Sequence, residues 1–281
     1  MKKSFLIIIG VGLALIYGLF QLPKGNVSKQ NLASAGAANR DAGGETLKEE
    51  KNEETSHAAP ISEALQKKIA GLKMELARAK GGPKELNSLK ELLKAFSEGN
   101  RLDSAGFYAE KYTNEHPSVA NWNMTAELYF QAQTYALNAQ KGQAMGAKAR
   151  EFFEKILSQD PNNLLVKSNL AMTYVDTQTP MKGITLLREV IEQDPTFVPA
   201  LFDLGVLSIK SNQFGKASER FAQILKLQPN NYKAELNLGF CLAQLEKKSE
   251  AVEHLKRVEK LSKDSEEIKA AKELLAEMQS H

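Results

Sequence analysis

The sequence predicts an all-α chain: a solenoid of helical hairpins, closed by a C-terminal capping helix and preceded by a single transmembrane helix. Three observations carry this. Pro161, Pro195 and Pro229 stand 34 residues apart. The residues between them repeat in step, as Leu170/Leu204/Leu238, Ala171/Gly205/Gly239, Gly183/Ala217/Ala251, Leu187/Phe221/Leu255 and Val190/Ile224/Val258. Residues 5–22 form one uncharged apolar run. Each repeated unit reads as two apolar-periodic helices joined by a polar turn. Small residues fall where the paired helices approach, and a Pro ends the second helix.

The first element is the apolar run FLIIIGVGLALIYGLFQL, which follows Lys2 and Lys3 and ends at Pro23 and Lys24. A helix of about 17 to 25 residues crosses a bilayer, so residues 1–22 read as an anchor that contacts the membrane through residues 5–22. A cleaved leader has a shorter core of about 7 to 15 residues with a small-x-small site close behind it. Here the nearest Ala-x-Ala is at Ala33 to Ala35, and no Cys follows for lipid attachment. A retained anchor is therefore the preferred reading. Lys2, Lys3 and the amino group outweigh Lys24 and Lys29, which leans the N-terminus towards the cytoplasm and the repeats outside it. With its Lys-Lys start and single short anchor, the chain reads as a single-pass protein of a bacterial inner membrane, repeats in the periplasm. Gly10, Ala14 and Gly18 share one face of the anchor at small-xxx-small spacing, a face that can support a homodimer.

Residues 23–60 are rich in Ala, Gly, Ser, Asn, Glu and Lys and nearly devoid of large apolar side chains, the composition of a disordered tether. Such a tether spans about 30 to 35 Å on average. Ile61, Leu65, Ile69, Leu72 and Leu76 then form one stripe at spacings of four and three, predicting an amphipathic helix over 61–80. Gly81, Gly82 and Pro83 break it from the first repeat.

The repeats are placed at 84–117, 118–161, 162–195, 196–229 and 230–263. The first is found in register through Leu92, Ala105, Ala109, Tyr112 and Pro117, provided the second is 44 residues long. The second fits through Ala149, Phe153, Ile156 and Pro161, so its extra residues fall between Asn121 and Ala147, expected as a longer first helix and a turn at Gly142 and Gly146. The fifth has Lys263 where the others have Pro. Residues 264–281, with an amphipathic stretch from Glu266 to Met278, read as the capping helix that shields the end of such an array.

In length, small and large positions and closing Pro, these units resemble the tetratricopeptide repeat (TPR) family. The resemblance implies a right-handed superhelix whose first helices line a concave groove through positions 2, 5, 9 and 12 of each repeat. Transferred residue by residue, these are Leu165, Ser168, Met172 and Val175; Pro199, Phe202, Val206 and Ile209; Lys233, Leu236, Phe240 and Ala243. The apolar members, Leu165, Met172, Val175, Phe202, Val206, Ile209, Leu236 and Phe240, are the candidate protein-binding groove. An exposed apolar strip marks a binding surface, and a solenoid groove accepts an amphipathic helix or an extended apolar segment. The alternative is that the C-terminal helix or the long second repeat fills it. Family members that clamp a C-terminal carboxylate use Lys at position 5, Asn at position 9 and Asn at position 6 of the next repeat. Asn169 and Asn237 stand at position 6 here, but Met172 and Val206 replace the position-9 Asn, so those Asn residues read as structural.

Net charge is only +3, with Lys and Glu interspersed, which leaves no clustered basic face for nucleic acid. His57, His116, His254 and His281 lack Cys, Asp or His partners at metal-ligand spacing. No phosphate loop, nucleophile elbow or dinucleotide fingerprint is present, so neither enzyme activity nor a cofactor is expected. The single Cys, Cys241, is expected as a small buried hydrophobe. The expected function is a membrane-anchored interaction scaffold that binds an apolar or amphipathic segment during envelope complex assembly. The alternatives are a chaperone-like holdase for exported chains or, with reversed topology, a cytosol-facing recruitment factor.

Overall fold

The computed structural model describes residues 60–79 and 81–279. The anchor, with Gly10, Ala14 and Gly18, and all of the tether but Pro60 lie outside them. Among the described residues there are twelve α-helices and no strand: α1 (Glu63–Arg78), α2 (Gly82–Glu98), α3 (Leu102–Glu115), α4 (Val119–Thr134), α5 (Ala139–Gln159), α6 (Leu164–Met172), α7 (Pro180–Gln193), α8 (Val198–Lys210), α9 (Phe214–Leu227), α10 (Tyr232–Gln244), α11 (Lys248–Leu261) and α12 (Ser265–Gln279). None of these is long and apolar enough to cross a membrane. Each helix packs on its neighbours in the chain, and α6 also meets α8 while α10 also meets α12.

The closing prolines act through the residue before them. A Pro ring disfavours the α region for the residue before it. Asp160, Asp194 and Gln228 accordingly leave the helix at φ/ψ of −135/84, −140/97 and −135/83 degrees. His116, before Pro117, does the same at −130/66 degrees. The second helix is thus ended in the same way before each following first helix. Asn163 and Asn231, equivalent positions in alternate repeats, cap α6 and α10 by accepting the N–H of Val166 at 3.1 Å and of Ala234 at 3.0 Å. Where Lys263 stands in place of Pro, Ser262 makes the turn: its hydroxyl donates to Glu267 at 2.6 Å and accepts the Asp264 N–H at 3.1 Å.

The turns inside three hairpins are also equivalent. Asn100, Asn212 and Glu246 adopt positive φ of 51, 57 and 60 degrees. Just beyond them the N–H groups of Arg101, Gln213 and Lys247 reach back to Phe96, Ser208 and Leu242 at 2.8, 2.8 and 2.9 Å, the Schellman closure of a helix. Asn tolerates this conformation, whereas Glu246 is strained there. Glu246→Gly is expected to raise unfolding stability by about 0.5–1 kcal/mol. A urea midpoint that does not rise would remove the strain argument.

The second repeat differs from the expectation at Gly142 and Gly146, which lie inside α5 rather than in a turn. The turn is at residues 135–138, where Asn138 caps α5 by accepting the Lys141 N–H at 2.8 Å. Both glycines instead allow α5 to approach α4: a Cβ at Gly146 would run into the Gln133 amide, and one at Gly142 would stand 3.4 Å from Ala136. Most of the extra length is second helix, since α5 has 21 residues against 14 in α7, α9 and α11.

Buried side chains gather into consecutive clusters rather than one closed core. They run along α1–α3, α4–α6, α6–α8 and α8–α12.

Candidate functional site

The eight candidate groove residues divide into an open and a closed set. On α6 and its exit, Leu165 is 50% exposed, and Met172 and Val175 are partly exposed. Phe202 on α8 is also partly exposed and rests edge-on against Phe221 with ring centres 5.5 Å apart. Val206, Ile209, Leu236 and Phe240 are buried, each at 3% exposure or less. The expected continuous strip is therefore corrected at these four positions. The reason lies in α10, where nine successive residues from Ala234 to Leu242 are buried. That helix is enclosed by α9, α11 and α12, and Leu236 and Phe240 share one cluster with Ala270, Ala271, Leu274 and Leu275 of α12. Phe240 also meets Phe214 edge-on at 6.0 Å. Among the remaining positions of the same register, Pro199 and Lys233 are exposed, Ala243 is partly exposed, and Ser168 is fully buried with its hydroxyl unpartnered.

The open set is held in place by the long second repeat. Helix α6 ends early, at Met172, and the chain continues through i to i+3 bonds from Tyr174, Val175 and Thr177. The carbonyl of Thr173, left without an intrahelical partner, accepts from Arg150 at 2.9 Å and from Gln133 at 3.3 Å. Arg150 lies 4.9 Å from the Tyr174 ring centre on α6's exit, and Lys182 of α7 lies 4.4 Å from it while donating to the Tyr174 hydroxyl at 2.7 Å. That hydroxyl donates in turn to Glu154 at 3.4 Å. Two cations around one aromatic ring tie α5, α6 and α7 together next to Met172 and Val175. Nothing in the 34-residue register signals this network, because Gln133, Arg150 and Glu154 belong to the irregular repeat.

Glu235 is fully buried on α10. One carboxylate oxygen accepts from Arg257 at 3.1 Å and lies 3.3 Å from Nδ1 of His254, and Arg257 also donates to the Pro229 carbonyl at 2.8 Å. The other oxygen has no partner. This cluster joins α10 to α11 and to the end of the preceding repeat. Cys241 is fully buried, and burial pushes its thiol up to about 12, so it is inert packing. His116 acquires neighbours the sequence spacing does not show: its Nε2 is 3.4 Å from Glu85, with Glu115 alongside. Glu85 already accepts the Gly81 N–H at 2.7 Å, so the pair serves to join the start of α2 to the end of α3.

Residues 211–275 match the tetratricopeptide repeat family. Hsp70-Hsp90 organizing protein 1 of Glycine max is 24% identical over 163 residues, 58% of this chain and 26% of its own length. Hsp70-Hsp90 organizing protein of Triticum aestivum is 24% identical over 161 residues, 57% of this chain and 25% of its own length. The chain thus spans about a quarter of the length of these curated relatives. A solved tetratricopeptide repeat protein of Parabacteroides merdae aligns at a TM-score of 0.55 and 15% identity, over 76% of this chain and 80% of its own; that likeness shows the fold. The family match falls across α9, α10, α11 and most of α12, so residues 211–275 are similar to tetratricopeptide repeats, and the same helical hairpin continues upstream of them.

Proposed function

We propose that the chain is an interaction scaffold that binds an apolar or amphipathic protein segment along α6 and the start of α8, on a right-handed superhelix held to a bacterial inner membrane by residues 5–22. The observation that carries this reading is the open set itself. Met172, Val175 and Phe202 stay partly exposed where Val206 and Phe240, Ile209, and Leu236 are buried at the equivalent positions downstream, and Leu165 beside them is half exposed. Large apolar side chains left accessible on one register mark a surface for a partner. The missing position-9 Asn argues against a clamp for a C-terminal carboxylate. The tether lets the repeats sweep the space beside the bilayer, on the periplasmic side by the Lys distribution at the anchor. Gly10, Ala14 and Gly18 supply a face for pairing two anchors. The likeness to Hsp70-Hsp90 organizing proteins favours a second reading, a chaperone-associated holder of unfolded or exported chains.

The test places a photo-crosslinking residue at Leu165 of the full-length protein in intact cells, with the exposed α11 residue Glu253 as control. One defined partner supports the scaffold, and a broad set of precursor chains supports the holder. Leu165→Asp with Met172→Asp, probed from a crosslinker at Val175, is expected to lower capture at least about tenfold while helicity is retained, since each apolar contact is worth roughly 1 kcal/mol or more. Capture equal to that at Glu253 would refute the groove.

A further inference from the structure

We propose that Asp203 is a cation-binding point in this groove, and that the bound segment carries a Lys or Arg side chain beside its apolar residues. The inference rests on the groove reading above and names the chemistry of its occupant.

Asp203 follows Phe202 on α8 and stands in the 34-residue register between Asn169 of α6 and Asn237 of α10. Residues three and four apart share a helix face, so Asp203 is flanked by Pro199 and Val206, which are groove positions 2 and 9 of the same repeat. Its counterpart Asn237 satisfies itself by donating to the Lys233 carbonyl at 2.8 Å. A carboxylate cannot do this, because it only accepts. Asp203 is partly buried and, among the described residues, its side chain has neither a hydrogen bond nor an ion pair. Two cations of the same and the following helix are engaged elsewhere. Lys210, two turns further along the same face, holds Asp176 at 3.3 Å, and Arg220 of α9 donates to the Ser208 hydroxyl at 2.8 Å.

Burial alone pushes the Asp203 carboxyl up to about 7, with no charged group of the array offsetting it. A desolvated carboxylate without a partner is costly, and such a group in a binding face attracts the charge it lacks. A guest ammonium or guanidinium would supply both the charge and the donors.

The test uses full-length protein in phosphatidylcholine nanodiscs and three short, end-blocked, fluorescent peptides of Leu, Ala and Ser that differ only in a central Lys, norleucine or Glu. The Lys peptide is expected to bind about tenfold more tightly than the norleucine peptide, and the Glu peptide more weakly than either. Asp203→Asn, nearly isosteric and checked for helicity, should erase the Lys preference while leaving norleucine affinity unchanged. Equal binding of all three to the wild type, or a Lys preference that survives Asp203→Asn, would overturn the cation point and leave the groove standing. Binding of none above empty nanodiscs would overturn both.

The unliganded protein offers a second readout. A folded-state carboxyl raised above its unfolded value contributes stability that is present below about 4 and is lost as pH rises through about 7. The thermal midpoint of Asp203→Asn should therefore exceed that of the wild type by more at pH 8 than at pH 5. An equal difference at both pH values would show that Asp203 is solvated and would end the proposal.

Discussion

Phe221→Ala is expected to destabilise the C-terminal hairpins by about 3–5 kcal/mol, the upper range for a buried aromatic. The ring is fully buried on α9 and lies in the cluster that runs from α8 to α12. It faces Gly205, where an added Cβ would stand 2.7 Å from its Cζ, so the ring occupies the space that a side chain on α8 would otherwise fill. Once the ring is gone, neither helix has a group at hand to collapse into the void. That is the condition under which the cavity adds most to the loss. Phe202 would also lose its edge-on partner and with it the orientation it presents to the groove. Because each repeat touches only its neighbours, the damage should remain local. Hydrogen exchange should show lost protection in α8 to α11 with α1 to α3 unchanged. A loss below about 1.5 kcal/mol would mean that Leu201, Phe202 and Ile224 repack into the space.

The hairpin array was legible because its determinants are local. A Pro disfavours the α conformation in the residue before it, so Pro161, Pro195 and Pro229, placed after a run of helical periodicity, mark equal helix ends without reference to any distant contact. The exposure of the groove was not legible, because it depends on what docks beside each first helix. Phe202 and Leu236 occupy the same repeat position, yet one is partly open and the other is buried, since α12 packs on α10 and joins the cluster around Leu236. Glu235 was hidden for a similar reason. Its charge reads as a solvated helix face until α11 brings Arg257 and His254 to it. Gly142 and Gly146 misled because glycine serves turns and close approaches alike, and only the packing of α5 on α4 separates the two uses.

Gly183→Ala is the second large effect, and its sign runs against helix propensity. In a helix interior Ala is favoured over Gly by about 1 kcal/mol. At Gly183, however, the new Cβ would lie well inside contact distance of the Ala171 carbonyl oxygen, a backbone atom that cannot swing away. Overpacking of this kind costs about 1–3 kcal/mol or more, so a net loss of about 2 kcal/mol is expected. Gly239→Ala provides the contrast. Its Cβ would meet Leu255 Cδ2 at 2.8 Å and Cγ at 2.9 Å, side-chain atoms rather than a backbone carbonyl, and the net loss there should be smaller than at Gly183.

The repeats also indicate how to repair the first variant. The helix crossing carries Ala171 with Gly183 in the third repeat, but Gly205 with Ala217 and Gly239 with Ala251 in the next two. One methyl is shared between the two positions, and it can stand on either helix. Ala171→Gly alone should cost about 1 kcal/mol through propensity. Combined with Gly183→Ala it reproduces the pair used by the fourth and fifth repeats, because losing the Ala171 methyl lets α6 shift against Leu187 and draw its carbonyl clear. The double variant should then be more stable than Gly183→Ala by about 1 kcal/mol or more, a coupling that a double-mutant cycle in urea reads directly. Simple additivity of the two losses would show that the third hairpin is fixed in its closer packing by the Tyr174, Arg150 and Lys182 network rather than by the small-residue pair.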